Sequence, residues 1–139
     1  MSKQRRSPSA AIQTSAEASS KTAFELQFTQ DAAVEIKALD GSVRNQLRKA
    51  LEKKLAVDPG GYGFPLRGVL AGYWKHRFGN HRVIYWINSE RHLVVICAVG
   101  VRKEGDASDI YRQFERSART GRLAKQLATV LSNLLPLKS

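Results

Sequence analysis

The residues best suited to chemistry are cations on two predicted strands joined by a tight turn. Lys75 and Arg77 occupy alternate positions of one apolar-aromatic run, and a Gly79-Asn80 turn brings Arg82 beside them. Side chains alternate between the two faces of a strand, so Lys75 and Arg77 are expected to share one face. A sheet face that carries several unpaired cations is suited to bind a phosphate backbone, not to fill a core.

The whole chain has the same basic character. Its 139 residues include 23 Lys and Arg against 12 Asp and Glu, which gives a formal net charge of +11. Such an excess attracts polyanions, so nucleic acid, the ribosome or an acidic protein is the expected partner. A merely soluble basic protein is the less favoured alternative, because charge concentrates near the strand pair as well as in the tails.

Other sequence features favour a cytoplasmic protein of a bacterium or archaeon. The single cysteine, Cys97, cannot form an intramolecular disulfide, and its apolar surroundings predict a buried hydrophobe rather than a catalytic thiol. No apolar stretch is long enough to span a membrane, and no charged-then-apolar signal sequence opens the chain.

Composition divides the chain into three parts. Residues 1–22 are rich in Ser, Ala, Gln and basic residues and predict a disordered basic arm. Residues 23–116 form the expected folded domain, and residues 117–139 a helical C-terminal extension. The leucine stripe of this extension fits packing on the chain's own sheet, which is slightly favoured, or a docking surface for a partner.

Periodicity predicts an α+β domain. A strand over 24–28 precedes a helix with its N-cap at Thr29, and Ser42 is the expected cap of a second helix. Strands over 73–78, 82–87 and 92–99 then form an antiparallel meander, whose last member is apolar on both faces and should be central. Ser108 is expected to cap a helix that begins at Asp109, and Gly121 to divide the tail into two helices. The expected architecture is an antiparallel sheet of about four strands, with two N-terminal helices and a C-terminal helix packed on it.

This order of elements resembles the RelE/ParE superfamily of toxins from type II toxin–antitoxin systems. The resemblance runs from about Phe24 to Phe114 and implies the small RelE-like fold. Its motifs are Pro65-Leu66-Arg67-Gly68, Trp74-Lys75-His76-Arg77, His81-Arg82-Val83-Ile84-Tyr85, and Val99-Gly100-Val101-Arg102 followed by Tyr111.

Function differs between the branches of this superfamily. RelE-like members are ribosome-dependent endoribonucleases that cut mRNA, whereas ParE-like members inhibit DNA gyrase by binding it and generally lack the basic catalytic set. Carried over by motif, the RelE set falls on Lys75, Arg77, Arg82, Arg102 and Tyr111. Its retention favours an mRNA interferase. A ParE-like gyrase inhibitor and a non-catalytic RNA-binding toxin are the alternatives.

Two departures from the RelE pattern concern this set. Arg77 stands where the best-known members have a lysine, which keeps the charge but largely removes the capacity for proton transfer. The loop 103–109 is longer than is usual before the tyrosine.

The expected chemistry is metal-independent cleavage of RNA by its own 2′-OH, with no cofactor. No cluster of Asp, Glu and His predicts a metal site, so cations must stabilise the pentavalent phosphate. Repulsion from the neighbouring guanidiniums would favour the neutral amine of Lys75, the expected general base. Arg77 and Arg82 would bind the phosphate, and the resemblance implies that Arg102 helps to protonate the leaving group. Tyr111 would stack on a base or orient the 2′-OH.

Further basic residues are candidates for RNA or ribosome contacts. Alternation places His76 with Trp74 and Phe78, so packing is favoured over catalysis there. The candidate contacts are Arg67, His81, Arg44, Arg48, Lys49 and Lys53, although Arg67 fits a loop anchor equally well and the last four fit a solvated helix face.

The expected partners are the ribosome with its mRNA and a cognate antitoxin, with no membrane. The resemblance implies an antitoxin that is acidic, partly disordered and DNA-binding.

Overall fold

A five-stranded sheet lies between two pairs of helices in the computed structural model, which describes residues 23–107 and 109–134. The strands are β1 (Glu25–Phe28), β2 (Phe64–Pro65), β3 (Trp74–Phe78), β4 (His81–Asn88) and β5 (Leu93–Val101), in the spatial order β1-β5-β4-β3-β2. Neighbours are antiparallel except β1 and β5, which are parallel. The α+β class is confirmed. The prediction of about four strands missed β2, a two-residue edge strand.

The helices form two layers. They are α1 (Gln30–Lys37), α2 (Gly41–Ala50) with a π-helical continuation Leu51–Leu55, α3 (Ile110–Arg119) and α4 (Arg122–Leu134), and a short 3-10 helix spans Gly68–Leu70. Helices α1 and α2 cover one face of the sheet, called here the closed face, around Leu47, Val83 and Tyr85. Helices α3 and α4 cover part of the opposite face, called here the site face, around Ile84 and Phe114.

Helix starts follow capping chemistry. Thr29 caps α1 as predicted, since its hydroxyl accepts from the Ala32 N–H at 3.2 Å. The prediction of Ser42 as the next cap was wrong: Asp40 lies two residues earlier and its carboxylate accepts from the Ser42 N–H. Asp109 likewise caps α3, which begins one residue later than predicted. Ser108 lies outside the described residues, as does the predicted arm 1–22.

The β3–β4 hairpin has the predicted two-residue turn. Gly79 takes φ +58°, which a type II′ turn requires at its first central position, and Phe78 pairs directly with His81. This register places Lys75 opposite Ile84 and therefore on the site face.

Strand β5 is interior and buried over 93–99, as its apolar sequence predicted. Cys97 lies within it at 2% exposure, and burial raises the pKa of its thiol to about 12. Beyond Ile96, the last partner of β1, no strand among the described residues lies beside the outer edge of β5. The Val99 N–H there donates instead to the Glu35 carboxylate at 2.8 Å.

The C-terminal helices pack on their own sheet. Gly121 takes φ +83° and separates α3 from α4, as predicted. Leu123 and Val130 of α4 are buried in the core of the site face, which confirms self-packing of the leucine stripe over the described residues. Within the described ranges, no helix has the length and apolar character needed to cross a bilayer.

Candidate active site

An open cleft of about 650 Å³ lies on the site face, on the part of the sheet formed by β2, β3 and the adjoining ends of β4 and β5. Its lining residues are Phe64, Pro65, Leu66, Arg67, Lys75, Arg77, Arg82 and Arg102. Four of the five catalytic candidates thus converge here from β3, β4 and the exit of β5, and Arg67 joins them from the loop that follows β2. None of the described residues that line the cleft is acidic, so its electrostatic character is that of an anion site.

Arg77 and Arg82 face each other directly across the hairpin. Like charges in this position destabilise a strand pair. In the described part of the chain neither makes an ion pair, and Arg82 instead donates to the carbonyls of Gly79 and His81 at 3.3 and 3.0 Å. A pair of opposed cations without carboxylate partners is explained better by an anionic ligand than by stability.

Arg102 is positioned by the exit of the chain from β5. The buried carboxylate of Asp109 accepts from the Lys103 N–H and from the Tyr111 N–H, and so ties the strand exit to the first turn of α3. This double contact holds Arg102 near Tyr111, whose ring centre lies 6.0 Å from the guanidinium carbon. Arg102 also pairs with exposed Glu104 at 2.6 Å, a contact that an incoming phosphate would have to replace.

Tyr111 lies between two cations at the edge of the cleft. Lys75 Nζ is 5.8 Å from its ring centre, within the range of a cation–π contact. Its hydroxyl is buried and has no hydrogen-bond partner among the described residues. Burial raises the pKa of the phenol above its usual value, although the nearby Arg82 and Arg102 guanidiniums act in the opposite direction. The net shift makes the phenol hold its proton more tightly than a solvent-exposed tyrosine does.

The loop that carries Arg67 has a fixed backbone. The Leu66 N–H donates to the Tyr73 carbonyl at 2.8 Å, and Gly68 and Gly72 take φ of +65° and +98°. Glycine tolerates these angles, which residues with a Cβ rarely adopt. Arg67 is exposed and makes no ion pair within the described ranges, which fits an anion contact.

The histidines of the hairpin do not line the cleft. His76 is buried on the closed face, where Nδ1 lies 2.7 Å from the Tyr62 carbonyl and must donate to it. His81 pairs with Phe78, and their rings are 6.4 Å apart. Alternation therefore places His81 on the face opposite Arg82, away from the other RNA-binding candidates.

The basic residues of α2 and of its π-helical continuation are also separate from the cleft, because both segments pack on the closed face. Arg44 donates to the carbonyls of Lys37 and Leu39, and so caps the end of α1. Arg48 donates to Asn45 at 3.1 Å. Lys49 and Lys53 are exposed.

Sequence reasoning missed three residues that shape the cleft. Phe64 lines it from β2, Glu104 pairs with Arg102, and Asp109 fixes the strand exit. Only Asp109 carried a signal, since an aspartate before an apolar-periodic segment is a strong N-cap. In the described ranges no three His, Cys, Asp or Glu side chains cluster as a metal site would require.

A family model described as "ParE toxin of type II toxin-antitoxin system, parDE" matches residues 26–105. The chain belongs to this family. The match spans β1 to the exit of β5 and includes every cation of the cleft. The protein is accordingly a toxin of a type II toxin–antitoxin system within the RelE/ParE superfamily, as the sequence motifs indicated.

Similar proteins include members described as RelE. A RelE-like toxin protein of Escherichia coli is 30% identical over 88 residues, which cover 63% of this chain and 92% of that protein. The toxin–antitoxin complex RelBE2 of Mycobacterium tuberculosis contains a chain 30% identical, with a TM-score of 0.56 and coverage of 58% and 93%. The isolated E. coli RelE toxin is 25% identical, with a TM-score of 0.51 and coverage of 68% and 97%. These likenesses confirm the RelE-like fold.

Proposed function

We propose that this toxin is a ribosome-dependent endoribonuclease that cuts mRNA without a metal ion and so inhibits translation. The observation that carries the proposal is the convergence of Lys75, Arg77, Arg82 and Arg102 on one cleft, with the Tyr111 ring between two of them. Inhibition of a protein target by binding alone would not require four cations around one open cleft.

Lys75 acts as the general base in this proposal. It takes the proton from the 2′-OH, and the resulting oxyanion attacks the adjacent phosphorus while the bond from phosphorus to the 5′-oxygen breaks. Arg77 and Arg82 stabilise the extra negative charge of the pentavalent phosphate from opposite strands. Tyr111 orients the 2′-OH by its unpartnered phenol or stacks on the base.

Arg102 acts on the leaving group, the 5′-oxygen. It lines the cleft beside Tyr111, and in this proposal it stabilises the departing 5′-oxygen as that oxygen gains a proton. The products are a 2′,3′-cyclic phosphate and a 5′-OH. Lys75 takes one proton from the 2′-OH and returns it to solvent, and the 5′-oxygen takes one proton from solvent. The transesterification therefore balances in protons, consumes no water and needs no redox partner.

Cleavage of mRNA on programmed ribosomes tests the proposal. Purified toxin should yield fragments that end in a 2′,3′-cyclic phosphate and a 5′-OH, and should continue to do so when chelator removes free divalent ions beyond the ribosome's own need. Intact mRNA under these conditions, or fragments with a 3′-OH, would contradict it.

Gyrase inhibition is the second candidate, because the matching family model is named for ParE. In that case the toxin would block supercoiling by purified gyrase and leave mRNA intact. We expect the reverse: translation stops while plasmid supercoiling is unchanged.

The partner proposed for neutralisation is an acidic, partly disordered antitoxin. The solved M. tuberculosis relative is itself a toxin–antitoxin complex. With a net charge of +11, this chain offers an acidic segment strong electrostatic attraction. Arg44, Arg48, Lys49 and Lys53 remain proposed contacts to ribosomal RNA on the closed face.

A further inference from the structure

Phe64 is the most exposed large apolar side chain in the described part of the protein, at 69%. It lies on β2, a two-residue strand at the edge of the sheet, and contributes to neither apolar core. Its exposure therefore does not help the protein to fold. It carries a cost as well, because an exposed aromatic residue on a sheet edge favours aggregation.

The position of Phe64 relates it to the proposed active site. Its register partner on β3 is Lys75, so both side chains project from the site face and both line the cleft. Tyr111 contacts Lys75 from the side of α3. The proposed general base thus has one aromatic ring from β2 and another from α3 near it.

The backbone that presents Phe64 is held firmly. A Cβ at the preceding Gly63 would lie 1.8 Å from Tyr85 Oη and 2.7 Å from the Lys75 carbonyl oxygen, so this segment is in close contact with the sheet. Tyr85 in turn donates to the Pro59 carbonyl at 2.6 Å. The ring is exposed, and the backbone that carries it is held in place. A side chain that stacks on a base needs both properties.

We propose that Phe64 stacks on one of the two nucleobases that flank the scissile phosphate, and that it determines how the RNA is seated over Lys75. Single-stranded RNA is recognised largely by aromatic rings that stack on unpaired bases beside cations that bind the backbone. The cleft combines both features: four arginines and a lysine surround the phosphate position, and Phe64 provides a free ring next to them. This inference rests on the proposed nuclease function and adds a substrate contact to it.

A double-mutant cycle between protein and RNA tests the inference. Phe64→Ala and Phe64→Trp are compared with the wild type on programmed ribosomes, using an unmodified mRNA and two mRNAs with a ribose-abasic nucleotide on either side of the cleavage site. On the unmodified mRNA, Phe64→Ala should lower kcat/KM about 10-fold, in line with the loss of one base-stacking contact, and Phe64→Trp should retain activity. On one of the two abasic mRNAs, wild type and Phe64→Ala should cut equally, because the base that stacks is already absent.

Val69→Ala is the matched control, since Val69 is 49% exposed near the cleft without lining it. It should cut all three mRNAs like the wild type. An equal loss for Phe64→Ala on all three mRNAs would overturn the inference, since the ring would then support docking of the ribosome or the shape of the cleft. Normal cleavage of the unmodified mRNA by Phe64→Ala would overturn it too. In both cases the nuclease function would stand, whereas a wild type that cuts none of the mRNAs would remove both proposals.

Discussion

The two faces of strand β3 differ in what covers them, although they share five consecutive residues. On the closed face, Trp74 and Phe78 pack against the core formed with α1 and α2, and His76 is buried between them. On the site face, Lys75 is half-buried and Arg77 exposed, because α3 and α4 leave this part of the sheet open. One side of the strand stabilises the fold, and the other is free to bind an anion.

This difference explains how the protein tolerates its unpaired cations. Arg77 and Arg82 repel each other across the hairpin, but solvent screens much of that repulsion because the cleft is open. The apolar pairs on the reverse side keep the hairpin in register at little electrostatic cost. Loss of a site-face cation should therefore impair activity, and loss of a closed-face residue should impair stability.

Arg82→Ala should show a large effect on activity and acts on the site face alone. Removing one charged donor to a transition-state phosphate typically lowers the rate by about 10²- to 10³-fold. The melting temperature should change little, because the side chain belongs to neither apolar core and donates to carbonyls of the exposed turn. Cleavage rates on programmed ribosomes check the prediction.

Arg91→Ala is the matched control for charge. Arg91 is exposed in the turn at the other end of β4 and lies outside the cleft. The variant should cut like the wild type, and an equal loss in both variants would mean that net charge alone matters.

Leu47→Ala should show the reverse pattern on the closed face, with a loss of stability and no loss of activity. Leu47 is fully buried between α2 and the closed face, and truncation of such a leucine costs about 2–5 kcal/mol of unfolding free energy. Denaturant unfolding measures that loss. Cleavage per folded molecule should stay at the wild-type rate, and a fall similar to that of Arg82→Ala would show that the two faces are coupled.

The sequence predicted the parts of this arrangement that depend on alternation and local turn chemistry. The separation of Lys75 from His76 follows from the two-residue period of a strand, and the Gly79-Asn80 turn brings Arg82 to the same face. Burial of β5 on both faces followed from its unbroken apolar run. The family motifs supplied Arg102 and Tyr111, which lie far along the chain from the hairpin.

The features that were missed depend on contacts distant in sequence. Strand β2 exists only because Phe64 and Pro65 pair with β3, and two residues carry no periodicity. The parallel pairing of β1 with β5 joins segments about 70 residues apart, and Glu35 completes the free edge of β5 through Val99. No local pattern indicates which carboxylate will meet which amide across such a distance.

Glu35 gives the smallest predicted effect and tests what a charge costs at the free edge of β5, outside the cleft. Burial, followed by the nearby Asp31 carboxylate, raises the pKa of Glu35, while the Val99 hydrogen bond opposes the shift. The folded state therefore binds this proton more tightly than the unfolded state. Its contribution to stability is present below the ordinary glutamate pKa of 4.5 and is lost as pH rises through the folded-state value.

Glu35→Gln removes that titration and keeps an oxygen that can accept from Val99. Between about pH 4 and about pH 7, the wild type should lose stability relative to the variant. Thermal unfolding across this range measures the difference. If the wild type instead becomes more stable relative to the variant as pH rises, the ionised carboxylate stabilises the fold.

The central claim is that the open face of β3 performs the chemistry, and Lys75→Ala tests it most directly. Cleavage of mRNA on programmed ribosomes should fall by about 10²- to 10⁴-fold, the usual contribution of a general base. The melting temperature should remain near that of the wild type. Lys37→Ala, an equal loss of charge at the end of α1 and outside the cleft, should cut normally. A Lys75→Ala variant that cuts mRNA at the wild-type rate would contradict the account.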